Sequence, residues 1–344
     1  MEQSLWKYLK STDKPIVLYG MGNGADKIIS VLESYGIPFK GIFASEGFVR
    51  NKTFHDFKIS SLKELEDTLG DMIILLCFGS ERPEVIEYIK GVAAKHELYA
   101  PDVPVIGGGL FTPDFLAVNK ERIEKIYSLL ADDISRKTFQ NVIDFKISGK
   151  IDYLFDCSVT KDEPYTLLNL GNSEHFMDLG AYNGDTVAEF IEQTTDYRFI
   201  TAVEPDTKSF RKLTKNTEGI KNLRLVNSAV FCRDEKGHFG MRGGRNSSIC
   251  DNGTETDLIT VDTLSKVLPP TYIKMDLEGG EIDAIKGAKD TITNHRPKLL
   301  ISAYHRNDDL LTIPEEILNI RTDYKIYLRH LGALPAWDIN YYFI

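Results

Sequence analysis

Apolar runs and helical spacing alternate along the first part of the chain. The apolar runs predict buried strands, and a glycine turn at 20–25 separates the first strand from the first helix. Strands that alternate with helices favour a parallel sheet built from right-handed crossovers. The predicted strands are 15–19, 39–43 and 72–78, and the predicted helices are 26–35, 61–69 and 82–96. This part of the chain is therefore predicted to be an α/β domain.

The same pattern starts again near residue 175. Seven apolar runs predict strands at 175–180, 199–203, 223–226, 272–275, 298–302, 325–328 and 339–344. The helices predicted between them are 186–193, 208–216, 281–289 and 314–320. Charged helical segments within 119–150 predict a connector. We therefore expect a smaller Rossmann-like domain at 1–118, a helical connector at 119–170 and a seven-stranded Rossmann-like domain at 171–344.

Composition narrows the class of protein. The chain has 344 residues, 51 acidic and 41 basic, with a net charge of -10. Nucleic-acid binding depends on basic surfaces, so no nucleic-acid partner is expected. No apolar run approaches the ~20 residues of a membrane helix, and no signal peptide is expected. Four widely spaced cysteines, at 77, 157, 232 and 250, favour reduced thiols in a cytoplasmic protein.

The segment Asp178–Thr186 carries the strongest chemical signal. It follows a predicted buried strand, and its glycines allow the backbone to pass close to a ligand. Glu204 ends the next strand, where an acidic side chain can bind both hydroxyls of a ribose. The combination predicts an adenosine-type cofactor. The alternative is that Gly180 and Gly184 only shape a tight turn.

The charge of this segment indicates which cofactor is bound. A pyrophosphate site carries G-x-G-x-x-G, whereas this turn begins with Asp178 and ends with Asp185. Carboxylates suit a cationic ligand. S-adenosyl-L-methionine has a sulfonium and an ammonium group and no phosphate, so it is the expected cofactor.

Four segments in order resemble one known family. They are Asp178–Thr186, Val203–Asp206, Asn227–Val230 and Ile273–Glu281. Together they are similar to the FkbM family of S-adenosylmethionine-dependent methyltransferases, and D-L-E-G-G-E at 276–281 is the most distinctive stretch. The resemblance spans about 171–344. It implies a seven-stranded methyltransferase fold and O-methylation of a hydroxyl on a sugar, a polysaccharide precursor or a natural product.

The resemblance also implies roles for individual residues. The methionine end of the cofactor is expected to contact Asp178, Gly180, Ala181, Tyr182, Asn183, Gly184 and Asp185. Glu204 and Pro205 are expected to hold the ribose, and Ser228 and Ala229 the adenine. The expected partner is a small-molecule or glycosyl acceptor.

Three polar side chains are candidates for the chemistry. Asp276 and Glu278 follow one predicted strand and His305 follows the next, so all three should reach the ligand crevice. His305 is the expected base, with Asp276 orienting the acceptor or taking its proton. No metal is assigned, although these groups could also hold a divalent ion that acidifies the hydroxyl. Alternatively, the carboxylates only cap a helix and His305 is a loop residue.

The N-terminal glycine turn leaves other functions open. Residues 20–25 read G-x-G-x-x-A between a strand and a helix, which is typical of dinucleotide binding. The acid expected after Phe43 is missing, and Glu46 follows late. A nicotinamide-dependent oxidoreductase is therefore one alternative, and a non-catalytic cofactor-binding protein is another. This domain could also serve acceptor docking or a homodimer.

Overall fold

The computed structural model describes residues 3–45, 53–194, 196–241, 247–249 and 253–344. Glu46 and Cys250 lie outside the described residues. The chain forms two parallel-type sheets with helices packed against them, which confirms the predicted α/β class with two Rossmann-like parts. No helix in the described ranges is long and apolar enough to cross a membrane.

The first sheet has six strands in the order β3-β4-β2-β1-β5-β6. Its strands are β1 (Ile16–Tyr19), β2 (Gly41–Phe43), β3 (Thr53–Phe54), β4 (Phe57–Ser60), β5 (Ile73–Leu76) and β6 (Glu97–Tyr99). All pairs are parallel except the β3–β4 hairpin. The helices of this part are α1 (Leu5–Ser11), α2 (Asn23–Tyr35), α3 (Leu62–Leu69) and α4 (Pro83–Ala93).

Five helices connect the two sheets. They are α5 (Pro113–Val118), α6 (Lys120–Leu129), α7 (Asp133–Ser148), α8 (Asp152–Cys157) and α9 (Asp162–Leu168). The longest, α7, is capped by the Asp132 side chain, which accepts a hydrogen bond from the Ser135 N–H at 2.8 Å. Nine of its residues are buried, so α7 belongs to the core and is not a solvated linker.

The second sheet has seven strands in the order β16-β17-β15-β14-β7-β8-β9. They are β7 (His175–Leu179), β8 (Phe199–Val203), β9 (Leu223–Val226), β14 (Tyr272–Met275), β15 (Lys298–Ser302), β16 (Ile326–His330) and β17 (Ile339–Phe343). Only β17 is antiparallel to its neighbours. The helices are α10 (Asp185–Gln193), α11 (Thr207–Asn216), α12 (Val261–Ser265), α13 (Glu281–Lys286), α14 (Lys289–His295) and α15 (Asp309–Ile320).

A small third sheet stands beside it, in the order β10-β13-β11-β12. Its strands are β10 (Ala229–Val230), β11 (Glu235–Met241), β12 (Ser247–Ile249) and β13 (Thr254–Ile259). The sequence pattern did not predict β10 to β13, nor the short strands β3, β4 and β6.

Two predicted helices differ from the observed ones. The segment 281–289 divides into α13 and α14, because the Gly287 carbonyl leaves the helix and accepts from the Asp262 N–H at 2.9 Å. The last helix was predicted to begin at Pro314 but begins at Asp309. Pro314 has no backbone N–H, so it cannot donate the usual helical hydrogen bond to the Leu310 carbonyl, four residues earlier. The Tyr341 hydroxyl donates to that carbonyl instead, at 2.7 Å.

Arg329 of β16 links the second sheet to the connector through buried ion pairs. Its guanidinium is 1% exposed and binds two carboxylates of the connector. Nη2 lies 2.6 Å from Asp132 Oδ2, and Nε lies 2.8 Å from Glu163 Oε2. The Nη1 group also donates to the Ser135 hydroxyl at 2.8 Å. The cost of burying this charge is therefore offset by a full set of acceptors.

We predict that Arg329→Ala lowers the free energy of unfolding by about 3 kcal/mol, because it leaves two carboxylates facing each other without their cation. Chemical denaturation measures this change. Arg233→Ala is the matched control, since the Arg233 ion pair with Glu235 is exposed and should add little. Equal effects of the two substitutions would contradict the anchoring role of Arg329.

Candidate active site

A large cavity lies at the carboxyl ends of β7 and β14. These strands are neighbours in the sheet, but the chain leaves β7 towards β8 and returns to β14 on the other side. Such a switch point opens a crevice in which α/β folds bind ligands. The cavity here has a volume of about 1340 Å³.

The glycine turn after β7 is shaped by its contact with the end of β14. Gly180 has φ +83°, and a Cβ atom built on it would lie 2.0 Å from the Asp276 carbonyl oxygen. The N–H groups of Gly180 and Ala181 both donate to the Val203 carbonyl of β8 at 3.0 Å. Only glycine therefore allows three strand ends to meet at this point.

Glu204 lies on the cavity wall at the end of β8. Its Oε2 accepts from the Tyr182 N–H at 2.9 Å, and its Oε1 accepts from the Asp206 N–H at 2.8 Å. Burial raises the pKa of Glu204 to about 7, although the two N–H groups oppose the shift. The carboxyl group is thus fixed in position, and its charge changes near neutral pH.

Asp178 lies beneath the glycine turn. It is fully buried, accepts a short hydrogen bond from the Thr186 hydroxyl and has Lys274 Nζ 3.5 Å from its Oδ1. Burial opposes a charge on Lys274, but Asp178 and Asp276 outweigh it and raise the pKa of this lysine. Lys274 reaches the cavity wall, whereas Asp178 supports it from behind.

Asp276, Glu278 and His305 meet at the other side of the cavity. Asp276 and Glu278 line the cavity wall, each with 31% of the side chain exposed, whereas His305 is fully buried behind them. His305 Nε2 lies 3.4 Å from Asp276 Oδ1 and 3.7 Å from Glu278 Oε2. Glu278 has a positive φ of 51°, an uncommon backbone conformation for a residue with a side chain.

A third carboxylate faces the other edge of the His305 ring. Glu281 Oε1 lies 3.0 Å from His305 Nδ1 and accepts from the Leu277 N–H at 2.7 Å. Burial lowers the pKa of His305, but the charges of Glu281, Asp276 and Glu278 outweigh it and raise the pKa to about 10. This part of the site therefore favours a positive charge at the imidazole.

The first sheet also contributes to the cavity. Residues 79–82, which follow β5, line it together with Ile106. The Ile106 N–H donates to the His305 carbonyl at 2.9 Å. Lys27 of α2 donates to the Pro104 carbonyl at 3.0 Å and holds the same segment. The N-terminal part thus covers one end of the cavity.

The family comparison agrees with this geometry. Residues 178–326 match the family model of the methyltransferase FkbM domain. The chain carries an FkbM methyltransferase domain. The matched residues include the glycine turn, Glu204, Asp276 and His305, so the FkbM domain contains both sides of the cavity.

A solved structure resembles the chain over nearly its whole length. It is methyltransferase FkbM from Methylobacillus flagellatus KT, with a TM-score of 0.75 and 22% identity over 98% of this chain and 92% of that one. This likeness extends the shared fold to the part that precedes the FkbM domain.

Other solved methyltransferases match about half of the chain. Fibrillarin from Aeropyrum pernix, in complex with S-adenosyl-L-methionine, has a TM-score of 0.36 and 12% identity over 54% of this chain and 74% of that one. Precorrin-6y C5,15-methyltransferase from Geobacter metallireducens has a TM-score of 0.35 and 14% identity over 54% of this chain and 88% of that one. No curated protein matches the sequence.

The cavity contains some of the predicted cofactor residues and not others. Six of them line it, namely Gly180, Tyr182, Asp185, Glu204, Pro205 and Ala229. Five are not part of its wall, namely Asp178, Ala181, Asn183, Gly184 and Ser228. Among the predicted catalytic residues, Asp276 and Glu278 line the wall and His305 does not.

Sequence reasoning missed several residues of the site. Lys274 and Glu281 belong to the segment Ile273–Glu281, but the sequence analysis assigned neither of them a role in the chemistry. Residues 79–82 and Ile106 carried no local signal, because they reach the cavity only through long-range packing. Trp337 is 36% exposed and lines the cavity as well.

The N-terminal glycine turn lies apart from this cavity. None of residues 20–25 belongs to its described wall. The first turn of α2 carries Asp26, whose carboxylate lies 2.7 Å from His55 Nε2. A carboxylate at a helix start disfavours a pyrophosphate there. The geometry therefore gives the nicotinamide alternative no support.

We predict that Gly180→Ala destabilises the protein by about 2 kcal/mol more than Gly219→Ala does. Both glycines have a φ near +85°, so both alanines bear the same backbone strain. At Gly219 a Cβ meets nothing within 4 Å, whereas at Gly180 it overlaps the end of β14. Denaturant unfolding of both variants measures the difference. Equal losses would contradict the close approach described here.

Proposed function

We propose that the protein transfers a methyl group from S-adenosylmethionine to a hydroxyl group of a small molecule, with a glycosyl compound as the favoured acceptor. The observation that carries the proposal is the shared cavity. The glycine turn and Glu204 lie on one side of it, and Asp276 and Glu278 lie on the other. Cofactor and acceptor could thus meet between them.

The residues on the turn side fit this cofactor. Gly180 leaves the turn without a side chain where the three strand ends meet, and Glu204 presents a fixed carboxyl group to a ribose. Among the described residues of the wall, nine carboxyl groups and six basic groups are present. This excess of negative charge favours a cationic ligand over a pyrophosphate.

When bound, S-adenosylmethionine supplies a methyl group that a sulfonium ion already activates. The residues of this chain then have to align the acceptor and remove its proton. Asp276 and Glu278 both reach the cavity, and we assign removal of the proton to Asp276. His305 does not reach the cavity, so we assign it a positioning role behind Asp276, together with the Tyr304 hydroxyl, 3.4 Å from Asp276 Oδ1.

The cellular setting is part of the proposal. Cys77, Cys157 and Cys232 are free thiols, which supports a reducing compartment such as the cytoplasm. A homodimer and the absence of a nucleic-acid partner stay predictions. The domain limits 1–118, 119–170 and 171–344 stay proposals as well.

We predict that Glu204→Gln weakens the binding of S-adenosylmethionine about 10- to 100-fold, because an ionised acceptor of two ribose hydroxyls is lost. Isothermal titration calorimetry measures the affinity. Glu192→Gln, which changes an exposed carboxyl group outside the described cavity wall, should bind as the wild type does. Absence of binding to the wild type would overturn the proposed function.

The same carboxyl group predicts a pH dependence. Since its pKa in the folded protein is about 7, the ionised fraction rises between pH 6 and pH 8. We expect affinity for the cofactor to rise several-fold over this range. The α-amino group of the ligand titrates nearby, at about 7.7–8.0, so the Gln variant is the control. A similar pH profile for wild type and Glu204→Gln would exclude Glu204 as the cause.

We further predict that Asp276→Asn lowers kcat about 10²- to 10⁴-fold and leaves the affinity for the cofactor unchanged, because only proton removal is lost. Transfer of a labelled methyl group to a panel of glycosides, sugar phosphates and polyols measures turnover. Wild-type turnover by the variant would show that Asp276 is not the proton acceptor.

A further inference from the structure

The side chains around His305 form a site that the proposed mechanism uses only in part. Donor atoms of Asp276, Glu281 and His305 all lie within 4.8 Å of one another. Glu278 Oε2 lies 3.7 Å from the ring of the same histidine. Two carboxylates and one imidazole thus lie close enough together to share a single cation, and Glu278 lies beside the ring.

Three buried atoms in this cluster make no hydrogen bond among the described residues, and one of them, His305 Nδ1, has only the ion-pair contact with Glu281. His305 Nε2 belongs to a fully buried side chain and has no hydrogen-bond partner among the described residues. Glu281 Oε2, in a side chain that is 1% exposed, likewise has none there. Polar atoms left unpaired in the interior are costly, so they indicate a missing ligand. Of the two atoms without any such contact, one is in the His305 ring, and the other is in a carboxylate beside that ring.

The charges of the cluster point to the class of that ligand. Lys274 is one neighbouring cation, and its Nζ lies 3.9 Å from Asp276 Oδ2 and 3.5 Å from Oδ1 of the buried Asp178, so its charge is shared between these two carboxylates. A divalent cation supplies more positive charge to the three carboxylates at the ring than a protonated His305 does. Carboxylate oxygens with one imidazole suit Mn²⁺, Fe²⁺ or Mg²⁺, whereas the thiolates preferred by structural zinc sites are missing from this cluster.

We propose that Asp276, Glu281 and His305 bind one divalent cation, with Glu278 at the rim of the site. The cation reaches the cluster through the cavity, because Asp276 and Glu278 are part of the cavity wall. The His305 carbonyl, held by the Ile106 N–H at 2.9 Å, fixes the backbone of the buried ligand.

The position of the site gives the cation a role in the reaction. A hydroxyl group beside Asp276 would lie next to the metal, which lowers the pKa of a bound hydroxyl and eases its deprotonation. This role rests on the proposed function. Binding of the cation does not, so it can be tested without an acceptor.

The test measures the binding of Mn²⁺ to the full chain after dialysis against a chelator. The electron paramagnetic resonance signal of free Mn²⁺ reports how much of the metal remains unbound. We expect one Mn²⁺ per chain for the wild type. Asp276→Asn should weaken the binding at least 10-fold, and its half-buried position makes a folded variant the expected product. Mg²⁺ should compete for the same site.

Two controls separate the possible results. Glu192→Gln, at an exposed carboxyl group outside the described cavity wall, should bind Mn²⁺ as the wild type does, and calorimetry in chelator should still show S-adenosylmethionine binding. Wild-type protein that binds no Mn²⁺, or Asp276→Asn that binds it equally well, would overturn the metal site. Wild-type protein that binds Mn²⁺ but does not bind S-adenosylmethionine, either with the metal or without it, would instead contradict the proposed function.

Discussion

The contact between Gly180 and the end of β14 is the constraint on which the rest of the site depends. With no side chain at 180, the turn after β7 rests on the Asp276 carbonyl, and both N–H groups of the turn reach β8. One packing contact thereby brings together residues that are almost 100 positions apart in the chain. Cofactor-side and acceptor-side groups share a cavity because three strand ends converge there.

The acceptor side is organised around a buried histidine. Burial of His305 disfavours the protonated imidazole. The charges of Glu281, Asp276 and Glu278 outweigh this effect and favour a cation at that position. A buried cluster of this kind is stable only when a positive charge completes it. Whether a proton or a metal ion supplies that charge, Asp276 lies at the cavity wall beside both His305 and the Tyr304 hydroxyl.

Much of this arrangement could be predicted from the sequence. Continuous apolar runs located all seven strands of the second sheet, since strands covered on both faces need few polar residues. The spacing of Gly180, Glu204 and Asp276 after three of those strands was enough to locate one crevice. Short edge strands such as β3 and β6 carried too few residues for a pattern.

Other features depend on tertiary contacts and have no local signal. The early start of α15 requires the Tyr341 hydroxyl to satisfy the Leu310 carbonyl, which no sequence window shows. Likewise, Asp178 seemed suited to contact the cofactor, but packing places it behind the wall with Lys274. The depth of His305 also follows from the segment around Ile106, which belongs to the other half of the chain.

The central claim is that the cofactor binds at the turn after β7 and not at the N-terminal glycine turn. Hydrogen–deuterium exchange with and without S-adenosylmethionine tests it most directly. We expect slower exchange in peptides covering 180–186 and 204–206, with no change at 20–25. Protection confined to 20–25, or no protection in either region, would contradict it.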